Sequence, residues 1–357
     1  MSVAKVGDLA ERGVEMIETK VIEDKVYCSI CNELLDERYS PNRAPLLLNH
    51  KCQLILFGAG SAGRETLRYL RSKGIEPMSF MDNDSNKWNT VYEGLKVFDP
   101  VADPKATYVA TVYGSRAKEV REQLKEMGVK TAPLSNCLEM CNELPNAATL
   151  CTLLCLVTEK DSLDELYDQI HFRLTLDYDH QRSPSDISEL YFPDWIKPLP
   201  DEVYVDCGAA DGDTVREFVR RRKGEFKQIH AFEPDARQYA KIKDYKEPCY
   251  TYFLAVSGEN NSNNRSVKLD SISNLRPTYI KMDIEGDELK ALWGARKTIR
   301  QHKPVLAICA YHKPRDLWEI PLLIHLINPS YELRLRRYAE GDRELVWYGV
   351  PKERLNG

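Results

Sequence analysis

The chain has 357 residues, long enough for two domains rather than one. A formal net charge of −5 leaves no basic footprint for nucleic acid, and a run such as Arg220-Arg221-Arg222-Lys223 reads as a solvated helix face. The longest apolar run, Ala147 to Val157, is too short to span a bilayer, Met1 to Lys20 lacks an apolar signal core, and the ten cysteines read as reduced thiols, so a cytoplasmic protein without a membrane span is expected.

Residues 1–50 read as a helical and loop segment, with an acidic amphipathic helix over Val6 to Val21. Cys28, Cys31, His50 and Cys52 form a set that would suit zinc, against the default of reduced thiols. Residues 51–135 read as a small Rossmann-like α/β domain. Leu54 to Phe57 is a buried strand, Gly58-Ala59-Gly60-Ser61-Ala62-Gly63 a loop that opens a helix, and Met78 to Met81 a second strand ending at Asp82. Thr107 to Val112 and Ser115 to Met127 add a strand and a helix. Gly58, Gly60, Gly63 and Asp82 satisfy the context of a dinucleotide fingerprint, a second nucleotide site; the competing reading is a tight turn that binds nothing.

Residues 136–200 read as a helical connector, mainly helical from Leu138 to Asp179 and punctuated by prolines from Pro184 to Pro200. Cys137, Cys141, Cys151 and Cys155 fall at i,i+4 spacing and read as small packing residues. Residues 201–357 form the second α/β unit. Val203 to Val205 is a buried strand, and Thr214 to Arg222 a helix with Val215, Phe218 and Val219 on one face. Between them Asp206-Cys207-Gly208-Ala209-Ala210-Asp211-Gly212 is a glycine loop where backbone can approach a ligand closely. Glu233, 21 residues after Gly212, ends the strand Gln228 to Phe232, where an acid can take two ribose hydroxyls. The ligand is therefore read as a nucleoside. No lysine follows Gly212 as a phosphate-binding loop requires, and Asp206, Asp211 and Asp213 repel a pyrophosphate but suit a cation. S-adenosylmethionine, with its sulfonium and ammonium, matches.

Asp283 and Glu285 close a further strand, and alternation would point both to one side with Ile284 opposite. Val305 to Cys309 leads to Ala310-Tyr311-His312; in the strand order usual for methyltransferases these two strands are neighbours, and on that order Asp283, Glu285 and His312 are expected to converge at the crevice. His312 has the ordinary pKa of a general base for a hydroxyl; the same trio could instead hold a divalent cation. Tyr331 to Tyr338 and Glu344 to Val350 alternate around Glu340-Gly341-Asp342 as a terminal antiparallel hairpin.

These residues resemble the FkbM-type family of S-adenosylmethionine-dependent methyltransferases over roughly residues 185–350. The resemblance is carried by Val205-Asp206-Cys207-Gly208-Ala209 with Asp211-Gly212-Asp213-Thr214, by Ala231-Phe232-Glu233-Pro234, and by Lys268-Leu269-Asp270-Ser271-Ile272. Ile280-Lys281-Met282-Asp283-Ile284-Glu285-Gly286 with Glu288, Trp293-Gly294-Ala295, and Tyr311-His312-Lys313-Pro314 with Asp316-Leu317 continue it, after the lead-in Glu189-Leu190-Tyr191-Phe192-Pro193. It implies a class I, Rossmann-like methyltransferase sheet beside the smaller N-terminal Rossmann-like domain, and O-methylation of a sugar, glycan or natural-product hydroxyl. Asp206, Gly208, Ala209, Asp211, Gly212, Thr214, Glu233 and Asp283 are then the expected cofactor contacts, and Asp283, Glu285 and His312 face a small-molecule or glycan acceptor. Two rivals stand beside it. One is a nicotinamide-dependent oxidoreductase using Gly58 to Gly63; the other is a non-catalytic protein that binds the cofactor or a nucleotide sugar.

Overall fold

A computed structural model describes residues 53–356 apart from residues 73, 113–114, 133–144, 176–180, 247, 340 and 342. The helix expected over Val6 to Val21, the zinc set of Cys28, Cys31, His50 and Cys52, and Cys137 and Cys141 lie outside the described residues.

The first sheet contains β1 (Gln53–Phe57), β2 (Ser79–Met81), β3 (Val91–Tyr92), β4 (Leu95–Phe98), β5 (Ala106–Ala110) and β6 (Lys130–Ala132), in the order β3-β4-β2-β1-β5-β6. Alternation along β1 sends Leu54 and Leu56 to one face and Ile55 and Phe57 to the other. Helix α1 (Ser61–Ser72) places Leu67 and Leu70 on the first face with Phe80 and Val97, and α2 (Ser115–Glu126) places Val120 and Leu124 on the second with Tyr108. Both pairs sit at the i,i+3 or i,i+4 spacing of one helix face. The expected parallel α/β domain is present, with the β3-β4 hairpin as an addition.

The second sheet runs β14 (Tyr331–Arg337), β15 (Leu345–Pro351), β13 (Val305–Cys309), β12 (Tyr279–Met282), β7 (Val203–Cys207), β8 (Gln228–Phe232) and β9 (Cys249–Tyr252). All neighbours pair in parallel except β15, which runs antiparallel between β13 and β14. This is the expected methyltransferase sheet with its terminal hairpin. A short pair, β10 (Ala255–Val256) and β11 (Ser266–Val267), lies apart.

The segment expected as a connector builds the core of this sheet. Helix α3 (Ala147–Leu156) and helix α4 (Lys160–Thr175) place Leu150, Leu153, Leu154, Leu166 and Ile170 with Ile280, Ile308 and Trp347 on one face. Cys151 packs there too, as a small apolar side chain should. Tyr191, Phe192 and Ile196 cover the other face with Tyr204, Phe218 and Tyr279. Helix α4 also reaches the first sheet, where Phe172 joins Leu54 and Leu67. It is further tied to β14 by Glu165 with Arg337, and Glu159, just before the helix, pairs with Arg336.

Helix α5 (Asp213–Arg222) buries Val215 and Phe218 as expected, but Val219 is exposed; α6 (Ala236–Ile242) follows β8. Arg222 takes its place one turn on from Phe218, its guanidinium 5.5 Å from that ring. Nor is the basic run wholly solvated: Arg221 donates to the Phe192 carbonyl at 2.8 Å. Among the described residues no helix is long and apolar enough to cross a membrane.

A fragment beginning near residue 185 would lose Leu150, Leu153, Leu154, Leu166 and Ile170 from this core. Each such burial is worth about 1.5–3 kcal/mol, against a net domain stability of about 5–15 kcal/mol. That fragment should show no cooperative melt, whereas one beginning near residue 145 should melt cooperatively. A cooperative melt of the shorter fragment at the full-length temperature would contradict the role given to α3 and α4.

Candidate active site

The loop after β7 is stitched to the tip of β8. Gly208 and Ala209 N–H groups donate to the Phe232 carbonyl, each at 3.0 Å. Ala210 N–H donates to Glu233 Oε2 and Asp235 N–H to Glu233 Oε1, each at 2.7 Å. Gly208 and Gly212 both have φ of +83°, the left-handed region that glycine tolerates. A Cβ on Gly208 would collide with the Asp283 carbonyl oxygen, and one on Gly212 with the Tyr245 hydroxyl. The two glycines thus serve the fold, Gly208 by letting the ends of β7 and β12 meet. That contact also joins the loop to Asp283.

Asp206 and Thr214, expected among the cofactor contacts, turn beneath the loop. Asp206 has no exposed surface, so a direct contact with a ligand in the crevice is closed to it. It stands opposite Lys281 across the β7–β12 pair, 3.0 Å from the Lys281 ammonium, and accepts from the Thr214 hydroxyl. Lys281 Nζ also donates to the Gly208 carbonyl at 2.7 Å. Burial works against the Lys281 charge, but Asp206 and Asp283 outweigh it and hold the ammonium above its ordinary range. Asp211 remains at the surface, 3.2 Å from Arg216. Glu233 is nearly buried, yet each of its oxygens holds a single backbone amide and keeps a lone pair for a ribose hydroxyl.

At the ends of β12 and β13 the expected trio does converge, with a change of emphasis. His312 Nε2 lies 3.4 Å from Asp283 Oδ1 and 3.7 Å from Glu285 Oε2. The alternation expected to bring Glu285 inward fails because the chain leaves the strand at Met282 and Glu285 adopts a φ of +56°. Its side chain is 93% exposed. The buried partner is Glu288, at the start of α7 (Glu288–Gly294), whose Oε1 is 2.9 Å from His312 Nδ1 without the alignment of a good hydrogen bond. The same oxygen accepts the Ile284 N–H at 2.9 Å, while Oε2 is buried without a hydrogen-bond partner. Burial favours a neutral imidazole, but Glu288, Asp283 and Glu285 prevail and hold His312 above its ordinary value. Burial, then the charge of Glu288, pushes Asp316 up to about 7.

Tyr191, in the lead-in before β7, completes the site. Its backbone is left-handed at φ +64°, and its hydroxyl donates to Asp283 Oδ2 at 2.8 Å. Tyr311 donates to Oδ1 at 3.4 Å, so Asp283 is held from both oxygens. Asp283, Glu285 and Glu288 thus gather at the ends of β12 and β13 with Glu233 at the tip of β8, while the nearby cations Lys281 and Lys313 are engaged by Asp206 and by the Gly286 carbonyl. That donor set fits a sulfonium and an ammonium, and disfavours a pyrophosphate. Asp283, Glu288 and His312 each offer an atom within 4.8 Å of the others, spacing that suits a metal ion.

Residues 257–328 match the family model described as Methyltransferase FkbM domain. The fold is similar to that of the methyltransferase FkbM from Methylobacillus flagellatus KT, at 21% identity and a TM-score of 0.75, over 91% of this chain and 98% of that one. A UDP-D-quinovosamine 4-dehydrogenase from Vibrio fischeri aligns at 23% identity over 23% of this chain and 77% of that one, with a TM-score of 0.20. A precorrin-6y C5,15-methyltransferase from Geobacter metallireducens GS-15 aligns at 13% identity over 42% and 78%, with a TM-score of 0.29. The last two likenesses are too slight to bear on the fold. Among curated proteins no sequence match is found.

Lys281→Met would leave Asp206 as a buried, unpaired charge, at a cost of about 3–5 kcal/mol in denaturant unfolding. Adding Asp206→Asn should recover most of that loss. A single variant as stable as the wild type would show that the pair does not hold the loop.

Proposed function

We propose that this chain, an S-adenosylmethionine-dependent methyltransferase by its FkbM-type domain and fold, methylates a hydroxyl of a sugar, glycan or natural-product acceptor. The observation that carries the reading is the convergence of Asp283, Glu288 and His312 beside the glycine loop, with Gly208 packed on Asp283 itself. A polyhydroxylated acceptor offers O–H donors to Asp283 and Glu285, which as carboxylates can only accept.

When bound, S-adenosylmethionine supplies an electrophilic methyl group on a sulfonium. Glu233 would hold the ribose, and the crevice acids would face the cationic end. His312 Nε2 would take the proton of the acceptor hydroxyl and so make that oxygen the nucleophile. Glu288, at Nδ1, orients the ring and balances the imidazolium, so the proton has a stabilised place to go. Asp283, gripped by Tyr191 and Tyr311, positions the acceptor.

A second reading has a specific observation behind it. A divalent cation held by Asp283, Glu288 and His312 would lower the pKa of the acceptor hydroxyl. Loss of turnover with chelator, restored by Mg²⁺ or Mn²⁺, would select that reading.

Because His312 is held above its ordinary value, the free base appears only as the pH rises through that higher value. The rate should therefore climb with pH, with a midpoint above about 6.5. Glu288→Gln should move the midpoint down while lowering kcat. His312→Ala should lower kcat by about 10²–10⁴ with cofactor affinity nearly intact. Turnover to S-adenosylhomocysteine on a panel of nucleotide sugars and glycosides is the readout. A His312→Ala enzyme with wild-type kcat, indifferent to chelator, would overturn both readings.

A further inference from the structure

The first sheet carries a cavity of about 490 Å³ that the methyl-transfer reading does not use. Gly60, Ser61, Asp82, Lys87 and Arg116 are among its lining residues. It lies where β1 pairs with β2 on one side and β5 on the other, the point at which the chain order reverses. In open parallel sheets this crevice, beyond the carboxyl ends of the strands, is where ligands sit. Its volume is within the range of small-molecule sites, about 300–1,000 Å³.

The three glycines of the loop separate into two roles. A Cβ on Gly58 would meet the Thr111 carbonyl at 2.8 Å, and one on Gly63 would collide with the Gly58 carbonyl, so the fold itself requires both. A Cβ on Gly60 would meet nothing within 4 Å. Nothing in the protein calls for glycine there; a ligand brought against the backbone would.

The charges around the cavity are sorted. Asp82 is buried, with Oδ2 accepting from Ala59 N–H at 2.7 Å and from Lys87 Nζ at 2.9 Å. Oδ1 accepts only from Asp84 N–H at 2.9 Å, which leaves it acceptor capacity. Lys87 is thus committed. Arg116, in the first turn of α2, is exposed and has no ion-pair partner among the described residues. The first turn of α1 contains no acidic residue and lines the cavity through Ser61 and Ala62. The Arg116 guanidinium and the first turns of two helices therefore flank one side of the cavity, with Glu119 a turn further along α2, and the carboxylates of Asp82 and Asp84 line the other.

We propose that this cavity binds a ribonucleotide diphosphate, its phosphates between the first turn of α1 and Arg116 and its ribose hydroxyls on Asp82. The shared chemistry is ribose joined to a pyrophosphate; it can come from a nucleoside diphosphate, free or sugar-linked, or from a nicotinamide dinucleotide.

Calorimetry on the full chain, with UDP, GDP, ADP, NAD⁺ and inorganic pyrophosphate as separate titrants, tests it without any methyl acceptor or cofactor. One-site binding is expected for at least one nucleotide, with pyrophosphate alone weaker, and whichever titrant binds identifies the source. Arg116→Glu should weaken that binding by about tenfold or more. Gly60→Val, which fills open space rather than protein, should abolish it while leaving the melting temperature unchanged. The proposal is overturned if no nucleotide binds at millimolar concentration, if pyrophosphate binds as tightly as every nucleotide, or if both variants bind as the wild type does.

Discussion

A buried ion pair between Asp206 and Lys281 underlies the second α/β unit of this protein. The two residues stand opposite each other on β7 and β12, at the centre of the second sheet. Desolvating two charges is costly unless their remaining hydrogen-bonding capacity is used. Here Thr214 supplies Asp206 with a hydroxyl, and Lys281 reaches the Gly208 carbonyl. The pair thereby sets the height of the glycine loop, and Gly208 in turn rests on the carbonyl of Asp283. The glycine loop and Asp283 are consequently one mechanical unit.

The two α/β units repeat one device. In the first, Ala59 N–H donates to Asp82 and Asp84 N–H to the other oxygen of that carboxylate. In the second, Ala210 N–H and Asp235 N–H do the same to Glu233. Each acid at a strand tip first anchors the preceding loop, and offers a ligand only its remaining lone pairs. The units then diverge in charge. The second surrounds its crevice with carboxylates, whereas the first keeps Arg116 unpaired beside its helix termini.

The terminal hairpin was legible because it follows from local alternation, and the convergence of Asp283 with His312 because the family's usual strand order makes their strands neighbours. What was not legible depended on distant partners. Asp206 reads as a loop acid in contact with the cofactor until Lys281, far along the chain, is found opposite it. Glu285 looked inward by alternation, which ceases to apply once a chain turns left-handed after a strand. Glu288 carried a signal, since it belongs to the motif that supports the resemblance, but only the turn into α7 shows that its carboxylate reaches back to His312. Helices α3 and α4 read as a connector because apolar residues around a short helix do not reveal which sheet will cover them.

Calorimetric titration of S-adenosylhomocysteine into the full chain tests the central claim most directly, that the crevice above β7, β8 and β12 is a cofactor site. The account predicts one site per chain, and a loss of about 1.5–3 kcal/mol in Glu233→Ala, the worth of hydrogen bonds to a charged group. A well-folded protein that gives no binding signal, or a variant with unchanged affinity, would contradict it.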